Sequence, residues 1–101
     1  MIESSIAETT RLLTQAYAQA ERELEPSPDA LARMRSVYAA HGRAIEALRK
    51  AAHSLWAMEE LRWSAAMTSR AQDCEVQARR HIDALVQRAR ETQGGGNVSE
   101  R

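Results

Sequence analysis

The stretch Glu23-Leu24-Glu25-Pro26-Ser27-Pro28-Asp29-Ala30 decides how this chain folds. It holds the only two prolines among 101 residues, and a proline inside a helix removes a backbone donor and clashes with the preceding turn. A helix arriving from the N-terminal side must stop near Glu25. A second helix starts at once: Ser27 is a good N-cap, Pro28 suits the first helical position, and Asp29 complements the helix dipole. Helices joined by so short a connection pack as antiparallel neighbours.

The flanking apolar residues fit that hairpin. Upstream, Ile6, Leu13, Tyr17, Ala20 and Leu24 make one stripe, with Thr10 filling its gap. Downstream, Leu31, Met34, Tyr38, His41, Ile45, Leu48, Ala52 and the pair Leu55/Trp56 make another. Both advance in steps of three, four or seven, the spacing of a single helix face. In an antiparallel pair Leu24 then faces Leu31, Ala20 faces Met34, Tyr17 faces Tyr38, Leu13 faces His41 and Ile6 faces Leu48. The first helix is placed from Ser5 to Glu25, because Ser5-Ile6-Ala7-Glu8 fits a capping box. Charge agrees. Residues 1–29 carry six acids and two arginines, whereas residues 30–70 carry seven bases and three acids. Opposite charge on neighbouring helices favours their pairing.

After Pro28 there is no further proline, and Gly42 is the one glycine before the run Gly94-Gly95-Gly96. An unbroken helix from Pro28 to Gln93 would be about 99 Å long, too long for one small subunit to cover. The predicted break lies at 64–69, where Ser69-Arg70-Ala71-Gln72 fits a second capping box. The third helix then runs from Arg70 to Thr92, with Ala71, Cys74, Ala78, Ile82, Leu85 and Ala89 on its stripe. Folded back, it sets Cys74 opposite Trp63, Ala78 opposite Glu59 and Leu85 opposite Ala52. The expected fold is all-α: an antiparallel three-helix arrangement with a long central helix, over about 5–25, 28–66 and 70–92. It forms one domain, 1–93, followed by a flexible Gly-rich tail, 94–101, and self-associates as a helical bundle.

Composition excludes several classes. Hydrophobic residues make up 44% of the chain, but 19 residues are alanine, Phe is absent, and Ile, Leu and Val together number 16. Burying alanine contributes little, so the fold needs long, close helix contacts or a second chain. No stretch of about 18 apolar residues exists to cross a membrane. The first residues lack a basic region followed by an apolar run, so no secretory signal is expected and the expected location is cytoplasmic. The net charge of zero argues against a strongly electrostatic nucleic-acid binder. A single cysteine makes neither an internal disulfide nor a cysteine-based zinc site. The bias to arginine, 13 against one lysine, is of the kind common in GC-rich bacterial or phage genomes.

The most informative stretch for function runs from Leu55 to Met67. On one long helix, Trp56 and Trp63 share a face with Leu55 and Met67, while Met58 and Leu61 point away from it. A helix that is apolar on two faces must be covered on two sides. Trp, Met and Arg are also the residues enriched at interface cores. The candidate protein interface is therefore Leu55, Trp56, Met58, Glu59, Leu61, Arg62, Trp63, Met67 and Arg70; the plain alternative is ordinary bundle core. Glu59 falls amid that face, where a buried carboxylate needs a partner, unless it lies wet at the bundle end. Arg79, Arg80, Arg88 and Arg90 are candidate phosphate contacts, offset by Asp73, Glu75, Asp83 and Glu91 on the same helix. His41, His53 and His81 have no metal-binding spacing, and Cys74 has no base arranged beside it. No catalytic residue, cofactor or metal is expected. The function expected is a non-enzymatic interaction module: an adaptor, a chaperone or a small inhibitor of a larger machine. The partner is a protein, a second copy of the chain, or both. A structural homodimer and a nucleic-acid-associated regulator are the alternatives.

Overall fold

The computed structural model describes residues 2–99, with side chains from 6 to 92. Three helices pack against one another: α1, Ile2–Leu24; α2, Pro28–Ala57; and α3, Leu61–Ser99. The described residues contain no strand. The molecule is a rod of 64 × 18 × 16 Å with a radius of gyration of 17.0 Å, against about 13 Å for a compact 100-residue domain.

The first hairpin forms where the two prolines place it. Ser27 sits at the N-cap in extended conformation and Pro28 opens α2. The Ser27 amide donates to the Leu24 carbonyl at 2.9 Å, and the Leu31 amide to the Ser27 carbonyl at 2.9 Å. The register is the expected one: Tyr17 and Tyr38 stack with ring centroids 4.2 Å apart. Tyr17 donates to Glu21 at 2.9 Å, Arg35 reaches Glu21 at 3.3 Å, and the Thr14 and Tyr38 hydroxyls lie 3.1 Å apart. Two details change. The helix begins at Ile2 rather than Ser5, and Arg11 holds both Glu8 oxygens; the Ser5 side chain of the expected capping box lies outside the described residues. Thr9, not Thr10, fills the gap in the stripe.

The second reversal lies earlier in sequence than expected. The central helix does not run to residue 66; it ends at Ala57, and α3 begins at Leu61 rather than Arg70. The turn is a Schellman closure, in which backbone amides just past the helix satisfy its last carbonyls. The Glu60 amide donates to the Leu55 carbonyl at 2.8 Å, and the Glu59 amide to Trp56 at 3.0 Å. Glu59 takes the left-handed conformation, φ 63°, that such a turn usually gives to glycine. Ser69 lies inside α3, so it caps nothing. With the turn moved, α3 rather than α2 is the longest element, at 39 residues against 30.

The register of the last helix shifts accordingly. Ser64 faces Ala52, donating from its hydroxyl to the Ala52 carbonyl at 2.7 Å, and the Cys74 thiol sits 3.8 Å from the His41 carbonyl. The expected pairs Cys74/Trp63, Ala78/Glu59 and Leu85/Ala52 do not form. The helix face is nonetheless the expected one: Ala71, Ala78, Ile82 and Leu85 are buried, with Cys74 and Ala89 half-buried beside them. α3 also runs through the glycine run to Ser99, past its expected end at Thr92 and into the segment 94–101 expected as a tail. Glycine costs about 1 kcal/mol per residue in a helix, but it blocks no hydrogen bond. No described glycine takes the positive φ of a helix-ending cap. Residues 100 and 101 lie outside the described residues.

Candidate protein-docking site at the α2–α3 tip

The early turn divides the candidate interface between two helices. α1 packs along α3 from Glu8/Gln72 to Glu23/Arg90, so the last turn of α2 and the first of α3 project past its described side chains as a two-helix tip. The tip's inner contact is made by small residues. Ala52 and Ser64 are fully buried, and Thr68 is buried, donating to the Ser64 carbonyl at 3.1 Å. Small side chains bring the two backbones close and leave no inward space for the large residues beside them. Those turn outward: Trp56 is 55% exposed, Met58 63%, Leu61 59% and Trp63 59%.

The four do not share the face read from sequence. Eighteen residues make about five full helical turns, so each tip residue can be referred to one whose surroundings are seen directly. Trp56 stands eighteen after Tyr38, which stacks on α1, and Leu61 stands eighteen before Arg79, which lines the α1 side of α3. Met58 stands eighteen after Ala40, and Trp63 eighteen before His81. Both reference residues line the outer α2–α3 groove, away from α1. By helical phase, Trp56 and Leu61 stand on the α1 flank and Trp63 and Met58 on the other. The expected grouping of Trp56 with Trp63 assumed one continuous helix, and the turn at 58–60 breaks it. Leu55 is half-buried and Met67 packs against the core. Glu59 is exposed in the turn, and Arg62 and Arg70 are exposed on α3.

The possible nucleic-acid contacts do not gather. Arg79 and Arg90 face α1, where Arg79 lies 2.7 Å from Glu75 and Arg90 is ion-paired with Glu23. Arg88 lines the outer groove with Arg33 and His81, and Arg80 is exposed. Glu75, which the sequence offered only as a counter-charge, is buried. Its Oε1 lies against Arg79 but outside hydrogen-bond geometry, leaving that atom without a hydrogen-bond partner.

The remaining candidates are held by structure. His41 sets Nδ1 2.9 Å from the Val37 carbonyl of its own helix. Burial pushes the Cys74 thiol above its ordinary value, which keeps it a poor nucleophile at neutral pH. Among the described residues no group of three or more His, Cys, Asp or Glu converges where it could hold a metal ion, and no helix is long and apolar enough to cross a membrane. Sequence reasoning missed Ser64 and Thr68. Their signal was there: with Ala71 and Glu75 they continue the α3 stripe toward the N-terminus, in small and polar residues. Comparisons of the chain with protein-family models, curated proteins and solved structures find no match.

Proposed function

We propose that this chain is a non-enzymatic helical interaction module of the cytoplasm, an adaptor, chaperone or small inhibitor that docks on a protein partner through the α2–α3 tip. One observation carries the reading: four large apolar side chains are each more than half exposed around one turn. Exposed apolar clusters of that kind mark interaction sites, and tryptophan and arginine dominate the energetics of such sites. The turn itself supports it. A glutamate held at positive φ is strain, and strained residues cluster at ligand clamps and binding sites. A nucleic-acid reading has less support, because the arginines are spread over several faces and two are engaged by carboxylates.

The test is affinity capture with the wild-type chain and with a Trp56→Ser/Leu61→Ser variant, both checked by circular dichroism. A protein retained by the wild type and lost from an equally helical variant is the expected result. Identical retention by the two would remove the tip as the docking site.

A further inference from the structure

The tip's two flanks have different neighbours, and the outer one suggests its occupant. Trp63 and Met58 stand at one end of the outer α2–α3 groove. About 16 Å further along α3, eleven residues at the helical rise, the same groove opens into a cavity of about 440 Å³. It is a shallow recess lined by Ala40, His41, Ala44 and Cys74, with Arg70, Asp73 and Gln77 around it. No α1 residue lines this cavity or its neighbour toward Arg88, so the groove is open along its length. One face thus carries a large projecting side chain and, at a fixed distance, a shallow recess floored by Ala40, Ala44 and Cys74 and edged by His41 and polar side chains.

We infer that this outer face is a self-association surface on which two copies pack antiparallel, each Trp63 entering the other copy's recess beside Cys74. The inference rests on the tip being a docking element and names a second copy as the occupant of its outer flank. An isologous contact requires a patch that is its own complement, and a knob and a hole on one face supply that. The two-fold axis then passes near the level of Ser69, midway between Trp63 and Cys74. The recess suits an indole chemically. Arg70 has no ion-pair partner among the described residues and can stack on the ring face. Asp73 and Gln77 offer acceptors for the indole N–H, which needs a partner when buried.

Area argues against a head-on contact of the tips. The four exposed apolar side chains offer roughly 500 Å², whereas a stable dimer buries about 800 Å² per copy. Tips meeting end to end fall short. The antiparallel overlap exchanges the Trp56/Leu61 flank for the longer groove as far as Ala40 and Gln77, and leaves that flank free for a foreign partner.

The experiment combines solution mass by light scattering with the rate at which a thiol reagent modifies Cys74, on wild type, Trp63→Ala and Trp56→Ala, from about 1 to 200 µM chain. The expected wild type doubles its mass with rising concentration while Cys74 labelling slows at least tenfold. Trp63→Ala is expected to stay monomeric and to label throughout at the rate of dilute wild type, and Trp56→Ala to behave as wild type. A wild type that stays monomeric at 200 µM overturns the inference, as does a dimer whose Cys74 labels at the monomer rate or which survives Trp63→Ala. A monomeric wild type whose captured partner is still lost by Trp56→Ser/Leu61→Ser would sink the self-association alone and leave the docking reading standing.

Discussion

Glu59 carries the one positive φ at a non-glycine position among the described residues. The left-handed conformation costs a side-chain-bearing residue about 1–2 kcal/mol, and glycine avoids that cost but gives back part of the gain through a more flexible unfolded chain. Glu59→Gly is therefore expected to stabilise the fold by about 0.5–1 kcal/mol, a rise of roughly 3–6 °C in Tm. A fall in Tm would mean that the turn is held by the glutamate side chain rather than by its backbone bonds. The sequence hides this turn because Met58-Glu59-Glu60 contains no glycine, proline or asparagine, the residues by which turns are read. It offered instead a capping box at Ser69, and that residue is exposed within α3. The two serines give opposed expectations. Ser64→Ala removes a buried bond across the helix pair and should cost about 1 kcal/mol. Ser69→Ala should leave stability unchanged or raise it by a few tenths of a kcal/mol, roughly the propensity difference. Thermal melts of the two variants would show the reverse order if α3 began at Arg70.

At the scale of elements, the two helix pairs were not equally legible. The prolines fixed the α1–α2 loop, and a fixed loop fixes the register, so Tyr17 could be matched to Tyr38 from sequence. Nothing fixed the α2–α3 loop. A heptad stripe looks the same after any slip by whole heptads, so it reports which face is buried and not which residues face each other. That degeneracy is why Ala71, Ala78, Ile82 and Leu85 were recognised as core while their partners across the interface were misplaced. The tip follows the turn: Trp56, Met58, Leu61 and Trp63 are exposed there, grouped otherwise than one continuous helix would place them. The α1–α2 contact also carries a pH dependence. The Glu21 carboxyl is held below its ordinary value, first by the hydrogen bond from Tyr17 and then by Arg35. A carboxylate whose folded value is lowered adds stability above its unfolded value, and that contribution is lost as pH falls through the carboxylate range. Wild-type Tm should thus drop more between pH 7 and pH 3 than that of Glu21→Gln. The gap should be small, because the Arg35 and Glu21 side chains are both substantially exposed and exposed pairs contribute little. Equal slopes would show that the Tyr17–Glu21–Arg35 cluster does not persist in solution.

On the scale of the whole molecule, an alanine-rich chain has become a thin rod with little apolar mass inside. Its largest fully buried side chains are Ile6, Leu13, Leu24, Met34 and Ile82, and neither tryptophan is among them. A chain with so few large hydrophobic residues has left two of the largest outside its own core. That placement is the central claim, because the docking surface and the self-association both depend on it. The most direct test is the unfolding free energy of Trp56→Ser/Trp63→Ser against wild type, at sub-micromolar concentration where association does not contribute. Tryptophans at the surface predict a loss of no more than about 1 kcal/mol, the scale of ordinary surface substitutions. A loss of about 3–5 kcal/mol for each tryptophan, the cost of emptying a core site, would place them inside and contradict the account.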